Sequence, residues 1–190
     1  CGAGAWIRGP ADRHGFRLGA DFEAGLLKRV SAERGMPVLR CDFHHLPFRR
    51  EAFDAVCADS VLEHSADPDL LLREIHRVLS RKGLLAASLP PDARNPRYPV
   101  PGHLWKTDRA ELERRLHEAG FRRIRVEEVD TAATFGMPAR PSSRNAMLYA
   151  TAWKSDGEEY TDRERAADLM DFVYRTLDPG RSQECLDAEA

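Results

Sequence analysis

The sequence predicts an α/β chain built on a doubly wound, mostly parallel sheet, and three observations carry that expectation. Short apolar runs at residues 16–21, 38–42, 53–58 and 84–89 have strand length, and the first three end at or beside an acid, Asp21, Asp42 and Asp59. Segments with apolar residues at helical spacing separate most of the runs, and alternating strands and helices favour a parallel sheet. The last two strand-like stretches, 121–129 and 145–153, have only a loop between them, which predicts an antiparallel hairpin at one edge.

Each element has its own signals. Leu26, Leu27 and Val30 share a helical face within 22–33, and Gly35 and Pro37 stop that helix. Asp67 can cap the clearest helix, Pro68 suits its first turn, and Leu71, Leu72, Ile75, Val78 and Leu79 form one apolar stripe. Gly83 is expected to end it before the strand at 84–89. Residues 90–101 hold five of the 12 prolines and read as an irregular loop. Asp108 and Glu111 have capping-box spacing ahead of Leu112, Leu116 and Ala119, and Gly120 closes that helix. A further helix with Leu169, Met170, Val173 and Leu177 on one face is expected from Thr161, docked on its own domain or a partner. The division expected is a domain over 1–153 and an acidic helical extension over 154–190.

Composition excludes several classes. With 42% apolar residues and 13 glycines the chain is neither disordered nor fibrous. The longest unbroken apolar run, 83–87, is far too short to cross a bilayer, and no secretory signal pattern is visible. Cys1, Cys41, Cys57 and Cys185 form no C-x-x-C pair, which argues against a zinc ribbon or disulfide framework and fits a reducing cytoplasm. Residues 155–190 carry 11 acids and four bases, leaving 1–154 with a net charge of +5. That excess suits an acidic or phosphorylated small molecule and is too weak to argue for nucleic acid.

In open parallel sheets ligands bind beyond the C-terminal strand ends, which gives weight to the residues there. Cys1-Gly2-Ala3-Gly4 is Gly-rich and precedes a possible short helix, so backbone can approach a ligand. Asp21 could accept two hydrogen bonds from a ribose diol. Asp42 could accept from an exocyclic amine, with Phe43 offering a face to a purine. Singly, each Asp also reads as a cap or turn residue. His44, His45, His64 and His103 are the remaining candidates for proton chemistry, with His64 and His103 ranked first; Tyr98 and Trp105 could line a substrate wall or simply pack.

These motifs, together with Gly19-Ala20-Asp21, Leu46-Pro47-Phe48, Phe53-Asp54-Ala55-Val56, Leu62-Glu63-His64 and Ala119-Gly120-Phe121, resemble the class I S-adenosylmethionine-dependent methyltransferases, a Rossmann-like fold. The similarity is greatest to the type 11 small-molecule branch that includes the ubiquinone and menaquinone enzymes, and it covers about residues 1–153. It implies S-adenosylmethionine as cofactor. Cys1, Gly2, Ala3 and Gly4 would line the methionine portion, Asp21 with Phe22 the ribose, and Asp42 with Phe43 the adenine. Asp59 would face the methionine end and the acceptor, and His64 and His103 would be the catalytic candidates. The implied activity is methyl transfer to oxygen, nitrogen or carbon of a small molecule, with no nucleic-acid or membrane partner and no stated oligomeric state.

Two departures qualify it. The family's first strand would precede Cys1, so the chain reads as a fragment that should be less stable than a longer one and should bind the cofactor poorly beside it. Some quinone-pathway relatives hold a divalent metal around the Glu-His pair, but Ser60 stands where an acid would be, so no metal is expected. A truncated or decayed binding module is the alternative reading. An NAD-dependent dehydrogenase is the enzyme rival, against which Ile7 and the Asp42-Phe43 pair both argue.

Overall fold

The computed structural model describes residues 16–35, 37–91, 102–130 and 146–155. The helix expected from Thr161, the Gly-rich start and Tyr98 lie outside them. The chain divides between Pro47 and Phe48 into two compact units.

The first unit is a β-α-β element. Strand β1 (Gly19–Asp21) pairs in parallel with β2 (Val38–Arg40), joined through helix α1 (Ala24–Arg34). Glu23 caps α1, its carboxylate accepting from the amides of Gly25 at 2.9 Å and Leu26 at 2.6 Å. Gly35 ends the helix at φ 61°, a left-handed conformation that costs glycine nothing. Of the expected face Leu26, Leu27 and Val30, Leu27 and Val30 are buried and Leu26 half-buried.

The second unit holds a four-stranded sheet ordered β3-β4-β6-β5, from β3 (Phe53–Asp59), β4 (Leu79–Leu89), β5 (Arg122–Asp130) and β6 (Ala146–Trp153). β3 and β4 are parallel; β6 runs antiparallel to both β4 and β5. The expected hairpin is therefore present, with the finer feature that β6 lies between β4 and β5 and leaves β5 at the edge. Among the described residues β1 pairs only with β2, and β3 only with β4.

Helix α2 (Pro68–Val78) crosses between β3 and β4 and buries Leu71, Leu72, Ile75 and Val78. Removing such side chains from water contributes about 1.5–3 kcal/mol each. Asp67 caps α2 through the Leu70 amide at 2.9 Å, and Asp108 caps α3 (Arg109–Glu118) through the Glu111 amide at 2.9 Å, both as the sequence predicts. Arg115 on α3 reaches Asp69 on α2 at 2.6 Å.

One expectation is corrected. The helix α2 ends at Val78 and not at Gly83: Leu79 is already extended and begins β4. Residues 80–83 form an irregularity between the pairs Phe53–Leu79 and Ala55–Leu84, so the chain turns without a helix-stopping glycine. Gly83 serves packing instead. It is buried in β4, and a Cβ there would come within 2.9 Å of both Leu79 Cβ and the Ser80 carbonyl.

Candidate functional site

In the first unit the strand ends carry two Asp-Phe pairs. Asp21, the last residue of β1, is buried, and one of its carboxylate oxygens accepts from the Glu23 amide at 3.1 Å. The Cys41 amide donates to the Asp21 carbonyl at 3.0 Å, extending the parallel ladder past β2. Asp42 therefore emerges at the same end of this two-stranded sheet as Asp21.

Asp42 is itself the pivot of a turn. One of its oxygens accepts from both the amide and the Nδ1 of His44, each at 2.9 Å, and its carbonyl accepts from the His45 amide at 3.2 Å. The His44 amide, then the His44 ring, hold the Asp42 carboxyl below its ordinary range. The turn-residue reading of Asp42 is thus realised, and His44 is absorbed into fixing it. Phe22 and Phe43 meet edge to face, with ring centres 6.3 Å apart, and Phe22 is 62% exposed. The Cys41 thiol is pushed up by burial and by the neighbouring Asp42 charge, which disfavours a nucleophilic role.

In the second unit Asp59, Ser88 and Tyr149 form a row across three strands, since Asp59 pairs with Ser88 and Ser88 with Tyr149. The buried Ser88 hydroxyl donates to the Asp59 carboxylate. Tyr149 has its phenol pushed up by burial and by the Asp59 charge, so it remains a protonated donor. Immediately after Asp59 the chain takes a left-handed step at Ser60, φ 48°, tied to β4 by its amide donating to the Ser88 carbonyl at 2.9 Å. A non-glycine residue in that region stores backbone strain, a feature concentrated at functional sites.

Beyond that step a short 3-10 turn, Leu62–His64, carries the Glu-His pair. The Glu63 carbonyl accepts from the amides of Leu104 at 2.7 Å and Trp105 at 3.0 Å. His64 Nδ1 donates to the Gly102 carbonyl at 2.9 Å, since a carbonyl can only accept. These bonds draw His103 alongside, its ring edge-on to that of His64 at 5.1 Å.

The two histidines selected from sequence therefore adjoin. Trp105 is buried, with the Arg115 guanidinium 5.6 Å from its ring centre. Ser88 and Tyr149 were not legible as site residues: each is one residue of an ordinary-looking strand, and only the pairing places them beside Asp59. No helix among the described residues is long and apolar enough to cross a membrane.

The chain shares its fold with S-adenosylmethionine-dependent methyltransferases of known structure. A methyltransferase of Haloferax volcanii, solved in complex with the Trm112 methyltransferase activator, superposes with a TM-score of 0.65 at 18% identity, covering 80% of this chain and 79% of that one. The Haemonchus contortus phosphoethanolamine N-methyltransferase 2, solved with phosphomonomethylethanolamine and S-adenosylhomocysteine, gives 0.63 at 17% identity over 82% of this chain and 47% of its own.

Residues 1–87, a little under half of the chain, match the family model described as a methyltransferase domain. The mouse (Mus musculus) protein named Probable tRNA methyltransferase 9B is 34% identical over 88 residues, 45% of this chain and 19% of the relative. The malonyl-[acyl-carrier protein] O-methyltransferase of Legionella pneumophila is 30% identical over 80 residues, 40% of this chain and 28% of that enzyme. The chain thus spans between about a fifth and just over a quarter of the length of these curated relatives.

Proposed function

We propose that this protein binds S-adenosylmethionine and transfers its methyl group to a small-molecule acceptor. The observation that supports this best is the pair of Asp-Phe steps at the C-terminal end of β1 and β2, with the two rings in contact. The Asp21 carboxylate, which accepts from the Glu23 amide, is the acceptor we assign to the ribose hydroxyls. Phe22 and Phe43 offer apolar surface to a purine, and Asp42 an acceptor for its amine. These acceptors and rings fit the nucleoside half of the cofactor.

The cofactor supplies a sulfonium-activated methyl group, so the protein's task is alignment, water exclusion and, for an acceptor that must lose a proton, a base. We assign the base to His64 or His103 and the methionine end to Asp59; Cys1, Gly2, Ala3 and Gly4 belong to the same assignment by resemblance. Asp59 accepts from the Ser88 hydroxyl, with Tyr149 a donor beside it. A second reading, an RNA acceptor, is favoured by one observation, the likeness to the tRNA-methyltransferase relatives.

Fold alone does not decide the reaction. The [4+2]-cyclase SpnF has the same fold, with a TM-score of 0.61 at 23% identity over 77% of this chain and 69% of its own. The test is incubation with methyl-labelled S-adenosylmethionine and two acceptor pools, a small-molecule extract and total tRNA. Label in the small-molecule pool, lost in His64→Ala or His103→Ala, supports the proposal. Label in tRNA alone supports the second reading, and cofactor binding with no transfer to either supports a binding module.

A further inference from the structure

We propose that Tyr149 positions the methyl acceptor, its phenolic hydroxyl donating to an uncharged oxygen of that molecule, and that this place disfavours a carboxylate or phosphate. Tyr149's role rests on the methyl-transfer reading of this end of the sheet and adds to it the charge class of the acceptor. Asp59 pairs with Ser88, Ser88 with Tyr149 and Tyr149 with Glu127, so one polar row crosses all four strands of the second unit. Directly paired residues share a face of a sheet. Along β6 the residues of that face alternate with the buried Leu148, Ala150 and Ala152, and Tyr149 is half-buried. Neighbouring strands lie about 4.8 Å apart, so Tyr149 stands about 10 Å along the row from Asp59, the last residue of β3.

Within this row Tyr149 holds the proton that a ligand can use. The Ser88 hydroxyl already donates to the Asp59 carboxylate. Glu127 accepts from the Arg125 guanidinium at 2.9 Å. The Tyr149 hydroxyl makes no hydrogen bond among the described residues. Burial, and then the Asp59 charge, push its phenol up, so it keeps its proton at neutral pH. A donor near the C-terminal ends of β3 and β4, where ligands meet a parallel sheet, suits a hydroxyl, ether or carbonyl oxygen of the acceptor.

The placement of the bases sets the charge class. The excess of bases in residues 1–154 suits an acidic molecule, but Arg81 and Lys154 gather at the opposite end of the sheet, where both approach Glu51, at 3.8 and 3.9 Å. The Lys154 amide donates to the Gly83 carbonyl at 3.0 Å, and Arg122 pairs with the preceding Trp153. Gly83 lies five residues before Ser88 on β4, roughly 16 Å along the strand. Salt screens exposed charges over about 8–10 Å, so these bases contribute little at Tyr149. Arg125, two residues along β5 from the row, is bound to Glu127. Asp59 is nearer and is linked through Ser88, so an anion at Tyr149 is opposed and a neutral oxygen is not.

The experiment titrates two probes of nearly equal shape, 4-hydroxybenzamide and 4-hydroxybenzoate, into the full chain with and without S-adenosylhomocysteine. The amide should bind at least about tenfold more tightly than the carboxylate, since like charges side by side are costly. Tyr149→Phe keeps the ring and removes the hydroxyl; it should weaken the amide about two- to tenfold, the scale of one net hydrogen bond, and leave S-adenosylhomocysteine affinity unchanged. Asp59→Asn should bring the affinities of the two probes together. A melting curve by circular dichroism checks that both variants fold, and a purely structural role for Tyr149 would weaken both probes alike. No binding of the amide, equal affinity of the wild-type chain for both probes, or an unchanged probe ratio in Tyr149→Phe would overturn the assignment. Failure of S-adenosylhomocysteine to bind contradicts the methyl-transfer reading instead, and the probe ratio still decides the role of Tyr149.

Discussion

Phe22 and Phe43 stand edge to face, 6.3 Å between ring centres, and each directly follows an aspartate at the end of neighbouring parallel strands. The contact makes the two strand ends one surface. Phe22 remains largely exposed, an unusual state for a ring that packing alone would bury. If the pair receives a purine, Phe43→Ala should weaken S-adenosylhomocysteine binding by about 1–3 kcal/mol, the scale of losing one aromatic platform under a base. Thermal unfolding should shift much less, since Phe43 is only half-buried. Calorimetry on the two proteins checks the first, and a melting curve the second.

Gly120 is required by its backbone. After α3 the Gly120 amide donates to the His117 carbonyl and the Phe121 amide to the Leu116 carbonyl, both at 3.0 Å, a Schellman closure with Gly120 at φ 101°. A Cβ there would also stand 3.1 Å from His76 Nε2. Gly120→Ala should destabilise the protein by about 1–3 kcal/mol through the strained φ and the crowding of His76. Urea midpoints of the two proteins measure it.

His76 gives stability a pH dependence. Burial, and then the charge of Lys154, lower its pKa from the usual 6.5, and its ring lies edge-on to Phe121 at 5.1 Å. The fold thus favours the neutral ring, while the unfolded chain takes up a proton near pH 6.5. Between the unfolded and the lower folded pKa the unfolded state binds more protons, so stability rises with pH through that window. This contribution is present above about 6.5 and lost as the pH falls through the folded value. Replacing the ring by His76→Phe should flatten that part of a plot of unfolding free energy against pH; an unchanged slope would assign it to other groups.

Much of this was legible in the sequence because local signals agreed. Asp67 and Pro68 at the start of α2, Asp108 and Glu111 at the start of α3, and Gly35 and Gly120 at helix ends all act as their chemistry predicts. The Asp-Phe steps were visible because each stands at the end of a strand-length run. Gly83 misled because a glycine past an apolar stripe looks like a helix stop, whereas β4 needs it for close packing. The position of β6 between β4 and β5 is a tertiary choice with no local mark. His103 beside Glu63 and His64 is equally silent, because two backbone bonds to the Glu63 carbonyl create that neighbourhood across the proline-rich stretch.

The most direct test of the central claim is titration calorimetry of S-adenosylhomocysteine and of NAD into this chain and into Asp21→Ala. Asp21 sits at the end of β1 with a carboxylate that takes one backbone bond from Glu23, so its loss should remove charged hydrogen bonds to the ribose. The account predicts saturable S-adenosylhomocysteine binding, weakened by about 1–3 kcal/mol in Asp21→Ala, and no binding of NAD. Binding of NAD in its place, or S-adenosylhomocysteine affinity unchanged in Asp21→Ala, would contradict it.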